Sequence, residues 1–233
     1  MDALTIFDLL DRLAFLRGAP SVVLLLAAAF VAVVAWDLRL VIAAVFVHYL
    51  LAGFLFVDVL DPRLAFVYTL AGLFVTAILL VTAWQVNWGR RPSGLAADEA
   101  SRLGLADTRP LGPFSVTQRG LLRLGFATAV FGAVLWLTRA PGLFASTVPI
   151  EPAYLEPAIA GLLALGLVGL VTSAEPLPSG VGLLLFLSGF GLFYGFLDQS
   201  LAMTVALVAA QLIVALVVAY LAQARYLPVD VLD

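Results

Sequence analysis

The chain has 233 residues, of which 64% are apolar and only 12% charged, with a net charge of −3. A membrane-crossing helix needs about 20 mainly apolar residues, so seven would use about 140 and leave no room for a water-soluble catalytic domain. Cysteine is absent, histidine occurs once and every basic residue is arginine, which excludes disulfides, thiolate metal sites, bis-histidine haem ligation within one copy and any lysine-based chemistry.

Residues 1–18 place Thr5, Asp8, Asp11 and Arg12 on one helical face and Leu4, Ile6, Phe7, Leu10, Leu13 and Leu16 around the other. That pattern predicts an interfacial amphipathic helix. Asp2 and Asp8 precede any arginine, unlike a cleaved signal peptide, and no cleavage is expected. The region 19–88 then reads as three spans. The first runs from about Pro20 to Trp36, and Asp37-Leu38-Arg39 turns tightly into the second, about Leu40 to Val57. A second tight turn, Asp58–Arg63, contains a candidate N-cap, Asp61, and a candidate first helical residue, Pro62, for a third span reaching about Trp88.

Residues 89–119 form the one long polar connection, where Ser93 could cap a short surface helix. A fourth span at 120–138 leads into a Pro-rich loop at 139–156. The region 157–222 holds spans five (Pro157–Thr172), six (Val181–Leu197) and seven (Leu201–Ala222), followed by a tail at 223–233. Eight arginines fall on the side of the 89–119 loop and the C-terminus and four on the other. The positive-inside rule then puts the N-terminus outside and the C-terminus in the cytoplasm of a bacterial inner membrane.

The fold class expected is therefore all-α: a polytopic membrane protein of seven transmembrane helices behind an interfacial helix. LAGF at 51–54 with LDPRLA at 60–65 parallels LSGF at 187–190 with LDQSLA at 197–202. This reads either as a parallel 3+1+3 duplication or as chance matching in a chain dominated by Leu, Ala, Gly and Phe.

Polar groups in hydrocarbon cost several kcal/mol unless satisfied, which makes buried ones the first functional candidates. His48 lies near the middle of the second span and Gln211 near the middle of the seventh, with Tyr68 in the third. His48 reads as a proton-relay step, as a ligand to haem or a pigment, or as an interhelical hydrogen-bond donor. Gln211 reads as a packing amide. Tyr49, Thr69, Thr76, Thr128, Ser188, Tyr194 and Thr204 are weaker candidates, while Asp58 and Asp198 fall at span ends. Small residues recur at helical spacing: Ala65, Thr69, Gly72, Thr76 and Ala83; Gly125, Thr128 and Gly132; Ser188, Gly191 and Gly195; and Ala202, Ala206 and Ala210. Each such face predicts close helix packing. No carboxylate or arginine lies at mid-span and no proline interrupts one, so autonomous ion-coupled transport is not expected. No metal site, cofactor or nucleic-acid partner is expected either.

The stretch EPLPSGVGLLLFLSGFGLFYGFLDQSLAMTVALVAAQLIVALVVAYL, and more loosely the hairpin from Leu40 to Leu79, resembles the three-helix small subunits that accompany antiporter-like subunits of complex I, membrane-bound hydrogenases and Mrp-type antiporters. The resemblance implies antiporter-like membrane partners. That family's small subunit carries mid-membrane glutamates, whereas spans five to seven here contain none; no proton-relay residue carries over. The expectation is a non-catalytic scaffold or accessory subunit of an energy-converting, proton- or cation-translocating complex. The alternatives are a self-contained transporter or channel for a small neutral solute and a His48-dependent pigment- or haem-binding membrane protein.

Overall fold

The computed structural model describes residues 18–89, 109–111, 114–116, 118–137 and 153–226. The predicted interfacial helix, the Ser93-capped helix and most of the Pro-rich loop lie outside them. Seven α-helices occur among the described residues: α1 (Ala19–Val34), α2 (Leu38–Val57), α3 (Pro62–Gln85), α4 (Gln118–Leu137), α5 (Leu155–Thr172), α6 (Pro176–Gly195) and α7 (Leu201–Tyr226). A short antiparallel pair, β1 (Arg109–Leu111) with β2 (Phe114–Val116), precedes α4. Five helices, α2, α3, α5, α6 and α7, are long and apolar enough to cross a membrane; α1 and the apolar part of α4 are shorter. This is the architecture of a multi-pass membrane protein. Helices are the solution because hydrocarbon offers backbone amides no alternative partner.

Local signals set the helix ends. Asp37 and Asp61 accept hydrogen bonds from the backbone N–H of Arg39 (2.9 Å) and Arg63 (2.8 Å), capping α2 and α3. Pro62 opens α3 as the sequence suggests. At the start of α7, Asp198 accepts from the Ser200 N–H and hydroxyl, both at 2.8 Å. Two boundaries differ from expectation. The sixth helix begins at Pro176, ahead of the Val181 start expected, because proline in a first helical turn lacks only an N–H that has no partner there. The third ends at Gln85 instead of Trp88, since Asn87 and Trp88 take positive φ, 49° and 59°, which an α-helix cannot absorb.

The helices stand in two rows. α1, α2 and α3 form one and α5, α6 and α7 the other, with α1 against α5, α2 against α6 and α3 against α7, while α4 flanks α1 and α5. The tightest seam joins α5 to α6. A Cβ on Gly166 would lie 2.5 Å from the Phe186 backbone N, and one on Gly182 would lie 2.4 Å from that of Leu170. The two helices therefore touch backbone to backbone, which only glycine permits. The glycines matched in the two LxGF segments do different work: Gly53 abuts Thr69 on α3, whereas Gly189 abuts Leu162 on α5.

The outer surface is apolar, with Phe74 at 57%, Trp84 at 72% and Tyr220 at 68% exposure. Such a surface suits lipid or protein, not water.

Candidate functional site

The buried polar side chains converge where the two rows meet. His48 on α2, Tyr68 on α3, Ser188 on α6 and Gln211 on α7 are each 2% exposed or less. The His48 Nε2 lies 3.1 Å from Ser188 Oγ. Gln211 Nε2 donates to the Tyr68 hydroxyl. Two side-chain pairs thus join the rows, His48–Ser188 between α2 and α6 and Tyr68–Gln211 between α3 and α7.

The His48 Nε2–Ser188 Oγ bond is donated by either partner according to the imidazole tautomer. Nδ1 is buried without a hydrogen-bond partner, as is the Tyr49 hydroxyl on the adjoining residue. Among the described residues of α1, α2, α3, α5, α6 and α7 no charged side chain shares this level, since α1 and α6 contain none and those of α2, α3, α5 and α7 sit in their terminal turns.

Small residues make the site possible. Gly72 receives the Tyr49 ring, whose Cδ1 would lie 2.3 Å from an added Cβ, and the Thr76 hydroxyl turns back to the Gly72 carbonyl at 2.8 Å. Thr69 similarly donates to the Ala65 carbonyl at 2.9 Å. The Tyr68 ring lies against Phe56, centroids 3.8 Å apart, with Gly191 beside both. A narrow crevice between α2, α3, α6 and α7, lined by Tyr68, Gly191, Tyr194, Gly195, Asp198 and Thr204 among others, runs from the bundle end towards Tyr68. It holds about 10 Å³ of space for water-molecule centres.

No protein family, no curated protein and no solved structure matches this chain.

Every candidate in spans two, three, six and seven is therefore placed. His48 is paired with Ser188, read from sequence as a weaker polar candidate and as a packing residue, and Gln211 is paired with Tyr68. Thr69, Gly72, Thr76, Gly191 and Gly195 pack as small residues. The face Gly125–Thr128–Gly132 does not: all three are exposed, and a Cβ on either glycine would meet nothing within 4 Å. Ala202 and Ala206 on α7 are likewise exposed, because α7 turns Thr204, Gln211, Ala215, Val218 and Ala222 inwards instead. Nor do the residues around His48 suit a macrocycle. The ring is 1% exposed, Nε2 is engaged by Ser188, and the adjoining crevice has room for about one water. No group of His, Asp or Glu side chains among the described residues could hold a metal ion.

Sequence reasoning missed two features. Gly166, Gly169, Gly182 and Gly189 form the α5–α6 seam, and their spacing on successive helices was a readable signal. Arg123 on α4 donates to the Val34 and Ala35 carbonyls (3.3 and 2.9 Å) and to the Ser173 hydroxyl (3.4 Å). Arg225 donates to the Ala174 carbonyl at 3.0 Å. The C-terminal ends of α1 and α5 are thereby held by cations from α4 and α7, which complement the helix dipoles. At the opposite end the Tyr154 hydroxyl donates to Asp58 at 2.7 Å and Gln199 donates to the Val59 carbonyl at 2.9 Å.

Proposed function

We propose that the chain is a non-catalytic, structural subunit of a larger complex in a bacterial inner membrane, one that couples energy to proton or cation movement through antiporter-like partners. The observation that carries the reading is the Gly125–Thr128–Gly132 face of α4, which no other described residue covers at either glycine. Equivalent small-residue faces on α3, α5 and α6 are each filled by a neighbouring helix. A helix that keeps such a face open has a surface suited to close approach by another protein.

Seven crossings fit this reading. α1 spans 16 residues, about 24 Å at 1.5 Å per residue, yet it lies alongside α2 and α5, with its C-terminal end held by Arg123. The arginine asymmetry of the sequence puts the Arg123 and Arg225 end in the cytoplasm and the Asp58 and Asp198 end outside. Two rows of three are also what a parallel duplication would leave. The packed surroundings of His48, with space for about one water, argue against a solute channel and against a pigment site.

Purification of the full chain from its native membrane in mild detergent tests the proposal. Co-purifying membrane subunits are expected, with loss of the association on Gly125→Leu or Gly132→Leu. A monodisperse monomer without partners would overturn it.

A further inference from the structure

Arg39 and Arg63 occupy the same local setting. Each is the second residue of a spanning helix and donates its backbone N–H to an aspartate two positions earlier, Asp37 or Asp61. Among the described residues only Arg39 has an aromatic platform, its guanidinium carbon lying 5.0 Å from the centre of the Trp88 ring. We infer that Arg39, seated over Trp88, binds the phosphate of an anionic phospholipid at the end of the bundle that also carries Arg123 and Arg225. This goes beyond the subunit reading and rests only on the multi-pass membrane architecture.

Three observations carry it. Arg39 is exposed, and among the described residues its guanidinium donates no hydrogen bond and pairs with no carboxylate. The ring covers one side of the cation and leaves N–H donors free to take two phosphate oxygens at once. The backbone is also bent to hold the platform. Asn87 and Trp88 take φ of 49° and 59°, a region rare for bulky side chains, and the half-buried indole packs on the core beside the start of α2. Finally, the surroundings suit both parts of a lipid. Leu40 on α2 and Val81 and Trp84 near the end of α3 are exposed apolar side chains that can lie along acyl chains. Asp37 is the one acidic residue in 36–39 and 87–91, against Arg39, Arg90 and Arg91, so the local charge favours an anionic headgroup.

The indole acts in two ways. Its π face attracts the cation, and by holding the side chain in place it reduces the entropy lost when a phosphate is engaged. The first turn of a spanning helix lies at the level of the lipid headgroups, where a fixed guanidinium meets phosphate and not hydrocarbon. Arg63 has the same charge, the same cap and the same helical position without the ring, which makes it the internal comparison for Arg39.

Native mass spectrometry of the full chain tests the site through the first lipid retained when phosphatidylglycerol and phosphatidylcholine of the same acyl chains are supplied in equal amounts. The wild type is expected to prefer phosphatidylglycerol. Arg39→Gln should lower that preference about fivefold, the effect of one basic residue near an anionic lipid surface. Trp88→Gly, which removes the ring and suits the positive φ, should lower it in the same direction, and Arg63→Gln should bind as the wild type does. Equal retention of the two lipids by the wild type, an unchanged preference in folded Arg39→Gln or folded Trp88→Gly, or the same loss in Arg63→Gln would overturn the site. Displacement of the lipid by inorganic phosphate would overturn it too, by making the ligand a free anion. If Trp88→Gly does not fold, Arg39→Gln, which changes an exposed side chain, decides alone.

Discussion

His48 and Ser188 lie 140 positions apart in sequence and 3.1 Å apart in the bundle, joining α2 of one row to α6 of the other. Nothing else on α6 offers His48 a polar side chain at that depth, since its immediate neighbours are Leu187 and Gly189. Ser188→Ala should therefore leave the imidazole without its partner and destabilise the protein by about 1–3 kcal/mol. His48→Leu with Ser188→Ala should cost less than the two single changes added. A double-mutant cycle on detergent unfolding measures the difference, expected at about 0.6–1.7 kcal/mol by comparison with other membrane interiors.

The α5–α6 seam should be intolerant of even one methyl group. Gly182→Ala puts a Cβ 2.4 Å from the Leu170 backbone N and 2.8 Å from the Gly166 carbonyl, so the helices must separate. A loss of about 1–3 kcal/mol or more is expected. Gly125→Ala has open space around it and should be neutral or stabilising by about 0.5–1 kcal/mol, because alanine restricts the unfolded chain. Paired thermal melts of the two variants check the contrast.

Arg123 should matter through geometry as well as charge. Its guanidinium reaches two carbonyls of the α1 end and the Ser173 hydroxyl at once. Arg123→Met should destabilise by about 1.5–3 kcal/mol, the range for hydrogen bonds to charged groups. Arg123→Lys should recover only part of this, because a compact ammonium lacks the planar fork. Proteolysis of the chain around Trp36 in the three proteins would rank the fraying of the α1 end.

At the other end, Tyr154→Phe removes the 2.7 Å bond to Asp58 while keeping the ring. The expected cost is about 1.5–3 kcal/mol. Hydrogen exchange should show faster opening of the α2–α3 turn and of the start of α5, with the α6 interior unchanged.

The sequence by itself determined the features that depend on neighbours in the chain. Apolar runs must become helices because hydrocarbon leaves backbone groups no other partner. Asp37, Asp61 and Asp198 act within two residues of themselves, so the turns they make were legible. The mid-helix positions of His48 and Gln211 were legible too, and so was the absence of charged residues beside them in their own helices. Their partners were not. Seven similar helices can be arranged in many ways, and a one-dimensional pattern does not say which faces meet. Gly125–Thr128–Gly132 and Ser188–Gly191–Gly195 carry the same signal in the sequence, yet the first is open and the second is buried against α2 and α3. Only the tertiary structure decided that Ser188 meets His48 and Gln211 meets Tyr68, that Arg123 holds a foreign helix end, and that a water-sized crevice reaches Tyr68. The physical reason is that contacts between helices depend on the rotation and neighbour of each one. Those are set by backbone-close glycine seams such as Gly166–Gly182, where packing distances, not composition, select the arrangement.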